Sequence, residues 1–374
     1  MKSYNHLFEK LICYENLYDA ITRSAKRKRK RFDVQKVLNN RDKYIKKIQD
    51  LLINREFSPR VHTAKVIQDG HARKKRFIIQ PDYIYEQIIH HAVVQIMQPI
   101  FMKGMYEFSC GSIPNRGSHY GKRYIEKFIQ RHPKEIKYAL KLDIKKYFQS
   151  VDVELIKAKL RKIIHDEKML WVLEAIVDSN ITIFEGKEMN AGLPIGFYTS
   201  QWFANWFLQD LDHFIKEKLK AKCYVRYIDD IVIFGRNKKE LHKIHKEIEN
   251  QLKALNLSVK ENWQVFRFDY IDPKDGKRKG RPLDYMGFKF YRDKTVIRKA
   301  IMLKATRKAV RLNKKEVITW FDACQILSYM GWFKRTKTHG VYKKFIAPNI
   351  NIAKCRKIIS ARQNRINKEY KKCC

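Results

Sequence analysis

Two adjacent aspartates lie between two strongly apolar runs in the segment YVRYIDDIVIFG, residues 224–235. The β-branched and aromatic residues on both sides of Asp229 and Asp230 predict a β-hairpin that carries the pair at its tip. A third aspartate, Asp143, lies near the end of the alternating segment YALKLDI, residues 138–144. If these strands are neighbours, three carboxylates meet at one edge of a sheet.

Clustered carboxylates raise one another's pKa, and hard divalent cations such as Mg²⁺ relieve that repulsion. Two such ions about 4 Å apart can clamp the attacking and leaving oxygens of an in-line phosphoryl transfer. The pattern therefore favours nucleotide polymerisation, in which a primer 3′-hydroxyl attacks an α-phosphate and pyrophosphate leaves. A surface hairpin whose two aspartates form an ordinary turn is the structural alternative.

The remaining segments must position these strands. Residues 61–81, VHTAKVIQDGHARKKRFIIQP, have the β-branched residues and the Asp-Gly pair of a hairpin. Helical spacing of apolar residues follows Asp152, a candidate cap, and recurs around 200–219. The first 60 residues and the segment beyond residue 300 are also helical in pattern, so strands and helices alternate between helical ends.

The charge indicates a polyanionic partner, since 80 Lys and Arg against 39 Asp and Glu give a net charge of +41. Basic residues are interleaved with aromatic ones along the whole chain, which favours nucleic acid over a membrane surface. The run KRKRKR at 26–31 could be a localisation signal, a phosphate-binding arm or a solvated face.

Other features predict a soluble protein of the cytoplasm with no membrane partner. No apolar run approaches the roughly 18 residues of a membrane span, and the start of the chain has charges where a signal peptide needs apolar residues. The 7 cysteines form no C-x-x-C pair, so neither a zinc site nor a disulfide framework is readable.

Ordered motifs from about residue 70 to 298 resemble the reverse transcriptases. YALKLDIKKYFQSVD is similar to the family's first catalytic-aspartate motif, and YIDD is similar to its Y-x-D-D box. LKALNLSVKENWQVF (252–266) and LDYMGFKF (283–290) are similar to the next motif and to the primer grip. The resemblance implies an RNA-directed DNA polymerase of a bacterial or phage-infected cell that uses template RNA, a cDNA or other primer and dNTPs.

The resemblance also implies an α+β right-hand fold, with fingers, a palm whose antiparallel sheet carries the YxDD hairpin, and a helical thumb. The expected segments are a basic helical extension at 1–60, fingers with part of the palm at 61–137, the palm at 138–298 and a basic thumb at 299–374.

Individual residues receive roles from the same resemblance. Asp143, Asp229 and Asp230 would be catalytic and, with the Ile144 carbonyl, would hold two Mg²⁺ ions, for which Mn²⁺ can substitute. The implied dNTP-binding residues are Arg76, Arg116, Phe148, Gln201 and Lys260.

Phe148, Lys260 and Arg116 are assigned from their positions in the family motifs. Phe148 would clash with a ribose 2′-hydroxyl, and Lys260 would lie by the leaving pyrophosphate. Arg116 departs from the family's usual Arg-Pro-Gly pattern, so its role has the weaker basis.

Residues 192–205, GLPIGFYTSQWFAN, differ from the Pro-Gln-Gly loop of most reverse transcriptases. Their I-G-x-x-x-S-Q form resembles the diversity-generating retroelement enzymes. Those enzymes copy a template-repeat RNA with errors opposite adenine, diversify a target gene, and work with a basic protein, the accessory variability determinant. Ile195 and Gln201 are therefore predicted to loosen selection of the nascent base pair; alternatively, the loop marks a lineage and has no effect on fidelity.

Other interpretations stay open at this point. A retron, group II intron-like or abortive-infection reverse transcriptase is disfavoured by the loop. An RNA-dependent RNA polymerase is disfavoured by Phe148 and by YIDD in place of Gly-Asp-Asp. A non-catalytic RNA-binding protein is disfavoured by the three intact carboxylates.

Overall fold

A computed structural model describes residues 3–58, 62–69, 74–179, 181–184, 187–190 and 192–372. Packing divides the chain into two compact units that are interleaved along the sequence. Unit 1 contains Met1–Gly121 and Leu140–Val265, and unit 2 contains Lys122–Ala139 and Phe266–Cys374. The four functional segments expected from the sequence remain a prediction, because packing divides the chain at other positions.

Helices form both ends of the chain, as the periodicity predicted. In chain order they are α1 (Leu7–Ile12), α2 (Tyr14–Ser24), α3 (Phe32–Leu38), α4 (Arg41–Ile53), α5 (Ile88–Lys103), α6 (Ser118–Arg131), α7 (Tyr147–Ser150), α8 (Val153–Arg161), α9 (Glu167–Asp178), α10 (Tyr198–Phe207), α11 (Gln209–His213), α12 (Lys238–Ala254), α13 (Lys299–Asn313), α14 (Trp320–Phe333), α15 (His339–Val341) and α16 (Ile352–Lys372). Single π-helical turns adjoin α5, α11 and α15 at Tyr83–Gln87, Phe214–Lys218 and Tyr342–Ile346.

The strands form small sheets. They are β1 (His62–Asp69), β2 (Lys74–Ile79), β3 (Tyr138–Asp143), β4 (Ile181–Phe184), β5 (Lys187–Asn190), β6 (Cys223–Tyr227), β7 (Asp230–Gly235), β8 (Gln264–Arg267), β9 (Tyr270–Ile271), β10 (Arg278–Lys279), β11 (Leu283–Tyr285), β12 (Phe288–Phe290) and β13 (Thr295–Ile297). Their orders are β2-β1-β4-β5, β6-β7-β3-β8, β10-β9 and β11-β12-β13.

Both predicted hairpins are confirmed. β1 and β2 pair antiparallel from Ala64↔Ile79 to Asp69↔Lys74, and the Gly70 of the predicted turn lies outside the described residues. β6 and β7 pair antiparallel up to Tyr227↔Asp230, so the second hairpin turns at residues 228–229. The apolar flanks of this hairpin are buried, as their composition predicted.

Two helix predictions have different outcomes. Asp152 caps α8 as expected, because its Oδ1 accepts hydrogen bonds from the backbone N–H groups of Glu154 and Leu155. The helical pattern around 200–219 is not one continuous helix. Leu208, with ψ near 4°, departs from helical geometry and separates α10 from α11.

A buried carboxylate in unit 2 links α13 to the start of α14. Asp322, near the start of α14, accepts hydrogen bonds from Lys308 Nζ at 2.8 Å and Lys315 Nζ at 2.7 Å. It also forms a capping box with Thr319, whose hydroxyl accepts from the Asp322 N–H. The two lysines hold the pKa of Asp322 well below its usual range.

Replacing Asp322 by asparagine should lower the free energy of unfolding of unit 2 by about 3 kcal/mol at pH 7, because two ammonium groups lose their buried partner. Since the folded-state pKa lies below the unfolded value of about 4, this stabilisation is present above pH 4 and is lost as the pH falls further. Urea unfolding at pH 7 and pH 3 measures both effects. The exposed Glu316→Gln is the matched control, and an equal loss in both variants would contradict the assignment.

In the part of the chain that the structure describes, no helix is both long enough and apolar enough to cross a membrane.

Candidate active site

The turn of the β6–β7 hairpin meets the end of β3. Ile228 has a left-handed backbone with φ 58°, and Asp229 follows it directly. The backbone N–H of Ile144 donates a hydrogen bond to the Asp229 carbonyl at 3.3 Å. Because β3 and β7 are neighbours in the sheet, Asp143 and Asp229 lie side by side.

The surroundings of Asp229 oppose the ionisation of its carboxyl group. Burial, followed by the Asp143 and Asp230 charges, raises the pKa of Asp229 to about 7. Lys260 lies beside this cluster. Its backbone N–H donates a hydrogen bond to the Asp143 carbonyl at 2.8 Å, and its Nζ lies 3.6 Å from Asp143 Oδ2. The structure therefore brings together four of the predicted site residues, Asp143, Ile144, Asp229 and Lys260, and places Asp230 near enough to influence Asp229.

This arrangement fits a hard divalent cation, which would offset the repulsion between the carboxylates. Over the described residues, no three His, Cys, Asp or Glu side chains converge into a ready metal-binding group. Mg²⁺ commonly takes one or two carboxylates together with substrate phosphates and water, so a pair of aspartates suits it without a complete protein cage.

Phe148 lies on α7, half-buried, and its backbone contacts the loop predicted to influence fidelity. The Phe148 carbonyl accepts a hydrogen bond from the Leu193 N–H at 2.7 Å. On the other side of the loop, the Ile79 N–H of β2 donates to the Ile195 carbonyl at 2.8 Å. Gly196 permits this approach, because its φ is +130° and an added Cβ would lie 2.0 Å from the Ile79 carbonyl oxygen. Backbone hydrogen bonds at Leu193 and at Ile195 thus anchor this loop to α7 and to β2.

Gln201 lies on α10, just after this loop. Its Oε1 is buried and has no hydrogen-bond partner among the described residues, an unusual state for a buried polar atom. The start of α10 rests on a buried histidine, since His90 Nδ1 lies 2.8 Å from Thr199 Oγ1. Burial lowers the pKa of His90 to about 3, so this imidazole is neutral at pH 7.

The two predicted arginines have different positions. Arg116 Nη1 donates to the carbonyls of Tyr106 at 2.7 Å and Ser109 at 3.1 Å. The guanidinium therefore stabilises the loop that leads up to Arg116 itself. These backbone bonds occupy one nitrogen, and the predicted phosphate contact of Arg116 stays a prediction. Arg76 lies on β2 opposite Ile67, and its side chain is outside the described residues.

Sequence reasoning missed a buried ion pair behind the hairpin. Arg226 of β6 and Asp212 of α11 are both fully buried, and Arg226 Nε lies 2.7 Å from Asp212 Oδ1. A signal was present, because one arginine interrupts the apolar run before YIDD. Nothing in the sequence identified its partner.

Residues 67–290 match the protein family described as reverse transcriptase (RNA-dependent DNA polymerase). The chain belongs to this family. The YIDD hairpin, the β3 aspartate and the Lys260 segment all lie within the matched range. The family and the mixed helix-and-sheet architecture confirm the predicted α+β right-hand polymerase fold.

Two curated relatives come from Escherichia coli. The chain is 25% identical to the Retron Ec73 reverse transcriptase over 216 residues, which cover 54% of this chain and 63% of the relative. It is 22% identical to Protein YkfC of strain K12 over 181 residues, which cover 48% of this chain and 43% of the relative. The chain therefore spans less than two thirds of the length of either relative.

Solved structures of telomerases are also similar to this chain. Apo telomerase from Candida tropicalis gives a TM-score of 0.49 at 13% identity, over 83% of this chain and 59% of that chain. Telomerase from Candida albicans in complex with the TWJ fragment of telomeric RNA gives a TM-score of 0.46 at 13% identity, over 78% and 57%.

Proposed function

We propose that this chain is an RNA-directed DNA polymerase that extends a primer with dNTPs on an RNA template, using Asp143 and Asp229 as its central catalytic residues. The observation that carries the proposal is the pair formed by Asp229 at the hairpin tip and Asp143 at the end of β3, with Lys260 Nζ 3.6 Å from Asp143 Oδ2. The family match gives the reaction class, and the charge of +41 suits an RNA and cDNA partner.

Asp143, Asp229, Asp230 and the Ile144 carbonyl would hold two Mg²⁺ ions, or Mn²⁺ in their place. When bound, such ions polarise the α-phosphate and lower the pKa of the primer hydroxyl. Lys260 is suited to place positive charge, and a proton, near the leaving pyrophosphate. Phe148 would lie beneath the sugar and exclude a 2′-hydroxyl, while Arg76 and Arg116 would meet phosphates.

A finer proposal concerns the product. The I-G-x-x-x-S-Q loop supports an enzyme of the diversity-generating type, which copies a template-repeat RNA with errors at adenine and works with an accessory variability determinant in the cytoplasm. The backbone hydrogen bonds that anchor the loop at Leu193 and Ile195, and a Gln201 Oε1 without a partner among the described residues, support a direct effect of this loop on the nascent pair. Similarity to a retron reverse transcriptase favours the second candidate, a retron-type enzyme with the same chemistry.

Replacing Ile195 by glutamine should reduce misincorporation opposite template adenine by roughly tenfold, because the loop then regains a polar contact that tightens geometric selection. The measurement is cDNA synthesis on a defined RNA with Mg²⁺, with and without the accessory protein, followed by sequencing.

The matched control is Ile53→Gln, at a position that is 55% exposed at the end of α4, which should leave the error spectrum unchanged. Equal error rates in parent and Ile195→Gln would make the loop a lineage marker only. Faithful cDNA from the parent would keep the polymerase and favour the retron-type alternative.

A further inference from the structure

A buried arginine lies directly behind the candidate catalytic hairpin. Arg226 is fully buried near the end of β6, two residues before Ile228. A charged group in such a position is destabilising unless its charge and its donors are all matched. We infer that Arg226 is a positioning residue that sets the backbone turn presenting Asp229, an inference that rests on the proposed function.

The first set of contacts neutralises the guanidinium. Arg226 Nε donates to Asp212 Oδ1 at 2.7 Å, and Arg226 Nη2 donates to Asp212 Oδ2 at 2.5 Å. This is the two-pronged geometry that an arginine fork forms with a carboxylate. Asp212 also accepts a hydrogen bond from the Tyr224 hydroxyl, so this one residue of α11 binds two side chains of β6.

The third nitrogen of the guanidinium reaches the turn itself. Arg226 Nη1 donates to the Ile228 carbonyl at 2.9 Å and lies 3.3 Å from Asn205 Oδ1. Ile228 is the residue with φ 58°, a conformation that β-branched side chains rarely adopt. A hydrogen bond from a buried guanidinium therefore stabilises the one strained residue that directly precedes Asp229.

The loop at residues 106–116 packs against the other side of the turn. The Arg226 N–H donates to the Phe108 carbonyl at 3.1 Å, and the Cys110 N–H donates to the Arg226 carbonyl at 2.8 Å. Gly111 allows this close packing, because an added Cβ would lie 2.3 Å from Ile228 Cγ1. Ile228 is thus held by Arg226 on one side and by the Gly111 backbone on the other.

These contacts predict that Arg226 affects catalysis through the position of Ile228, beyond any effect on the stability of the fold. Arg226 is buried, so it acts through Ile228 and not on a substrate. Misplacement of a metal-binding carboxylate by about 1 Å can cost on the order of 100-fold in rate even when the protein remains folded. The residue type is also demanding, because lysine keeps the charge opposite Asp212 but cannot reach the carboxylate and the Ile228 carbonyl together.

The test compares Arg226→Lys with the parent by two independent measurements. The first is Mn²⁺ binding to the protein without nucleotide, followed by electron paramagnetic resonance, where we expect about tenfold weaker binding. The second is single-nucleotide incorporation per active site, where we expect kcat to fall about tenfold and the Mg²⁺ requirement to rise, with the KM for dNTP little changed.

A matched control is Lys157→Met. Lys157 is a buried cation of the same unit, and it forms ion pairs with Glu154 at 2.7 Å and Asp178 at 2.6 Å. This variant should lose stability without altering Mn²⁺ binding or kcat per active site. For a variant that keeps the region neutral, Arg226→Gln combined with Asp212→Asn removes both charges and should reproduce the Mn²⁺ defect of Arg226→Lys.

The outcomes separate the two proposals. Unchanged Mn²⁺ binding and unchanged kcat in folded Arg226→Lys would overturn the positioning role and leave the polymerase intact. A parent that binds Mn²⁺ in an Arg226-dependent way but incorporates no dNTP would overturn the proposed function and keep the positioning role.

Discussion

Replacing Asp229 by asparagine should lower the rate of dNTP incorporation by about 1000-fold, because one charged group that stabilises the transition state is lost. The same change should not lower the melting temperature. Burial and the charges of Asp143 and Asp230 already disfavour a carboxylate at this position, so a neutral amide of the same shape relieves repulsion in the folded protein. Primer extension with Mg²⁺ and calorimetry measure the two effects.

Asp275→Asn provides the control for this experiment. Asp275 lies in an exposed turn, where it pairs with Lys279 at 3.0 Å, and its replacement should leave incorporation close to that of the parent. If Asp229→Asn retained more than a tenth of the parental rate, the hairpin would not be the catalytic centre. A large fall in melting temperature would instead give Asp229 a structural role.

Truncating Phe148 to alanine should reduce the preference for dNTPs over NTPs by roughly 100-fold, since the side chain would no longer exclude a 2′-hydroxyl. The fold should survive the change, because alanine keeps the Phe148 backbone carbonyl, which lies 2.7 Å from the Leu193 nitrogen and anchors the neighbouring loop. The measurement is the ratio of kcat/KM for each dNTP and its matching NTP.

Phe345→Ala is the comparison, at a phenylalanine in unit 2 whose side chain is 44% exposed. It should leave the sugar preference unchanged. An unaltered ratio in Phe148→Ala would place sugar selection elsewhere in the site.

The sequence predicted the elements that carry the chemistry better than it predicted their surroundings. The YIDD hairpin was readable because alternation, β-branching and the Asp-Asp pair all indicate the same local structure. The proximity of Asp143 to Asp229 was not readable from periodicity, since it depends on β3 lying beside β7, and only the family resemblance implied it.

Contacts that depend on the three-dimensional path of the backbone account for what the sequence could not predict. The partner of Arg226 is Asp212, on a helix that the apolar spacing alone made continuous with α10. The packing of Ile228 on Gly111 joins residues more than a hundred positions apart, and the hydrogen bonds of Arg116 to its own loop required the backbone path of that loop. Such contacts depend on directions that no one-dimensional pattern contains.

The interleaving of the two units has a consequence for the synthesis of the chain. Residues 122–139 leave the ribosome before residues 140–265, yet their packing partners in unit 2 begin only at Phe266. At typical elongation rates this delay is on the order of ten seconds. During that time three residues that are buried in the finished protein, Ile125, Ile129 and Ile136, lack the rest of their core. We therefore expect the nascent chain to depend on holding chaperones until the last third of the sequence is made.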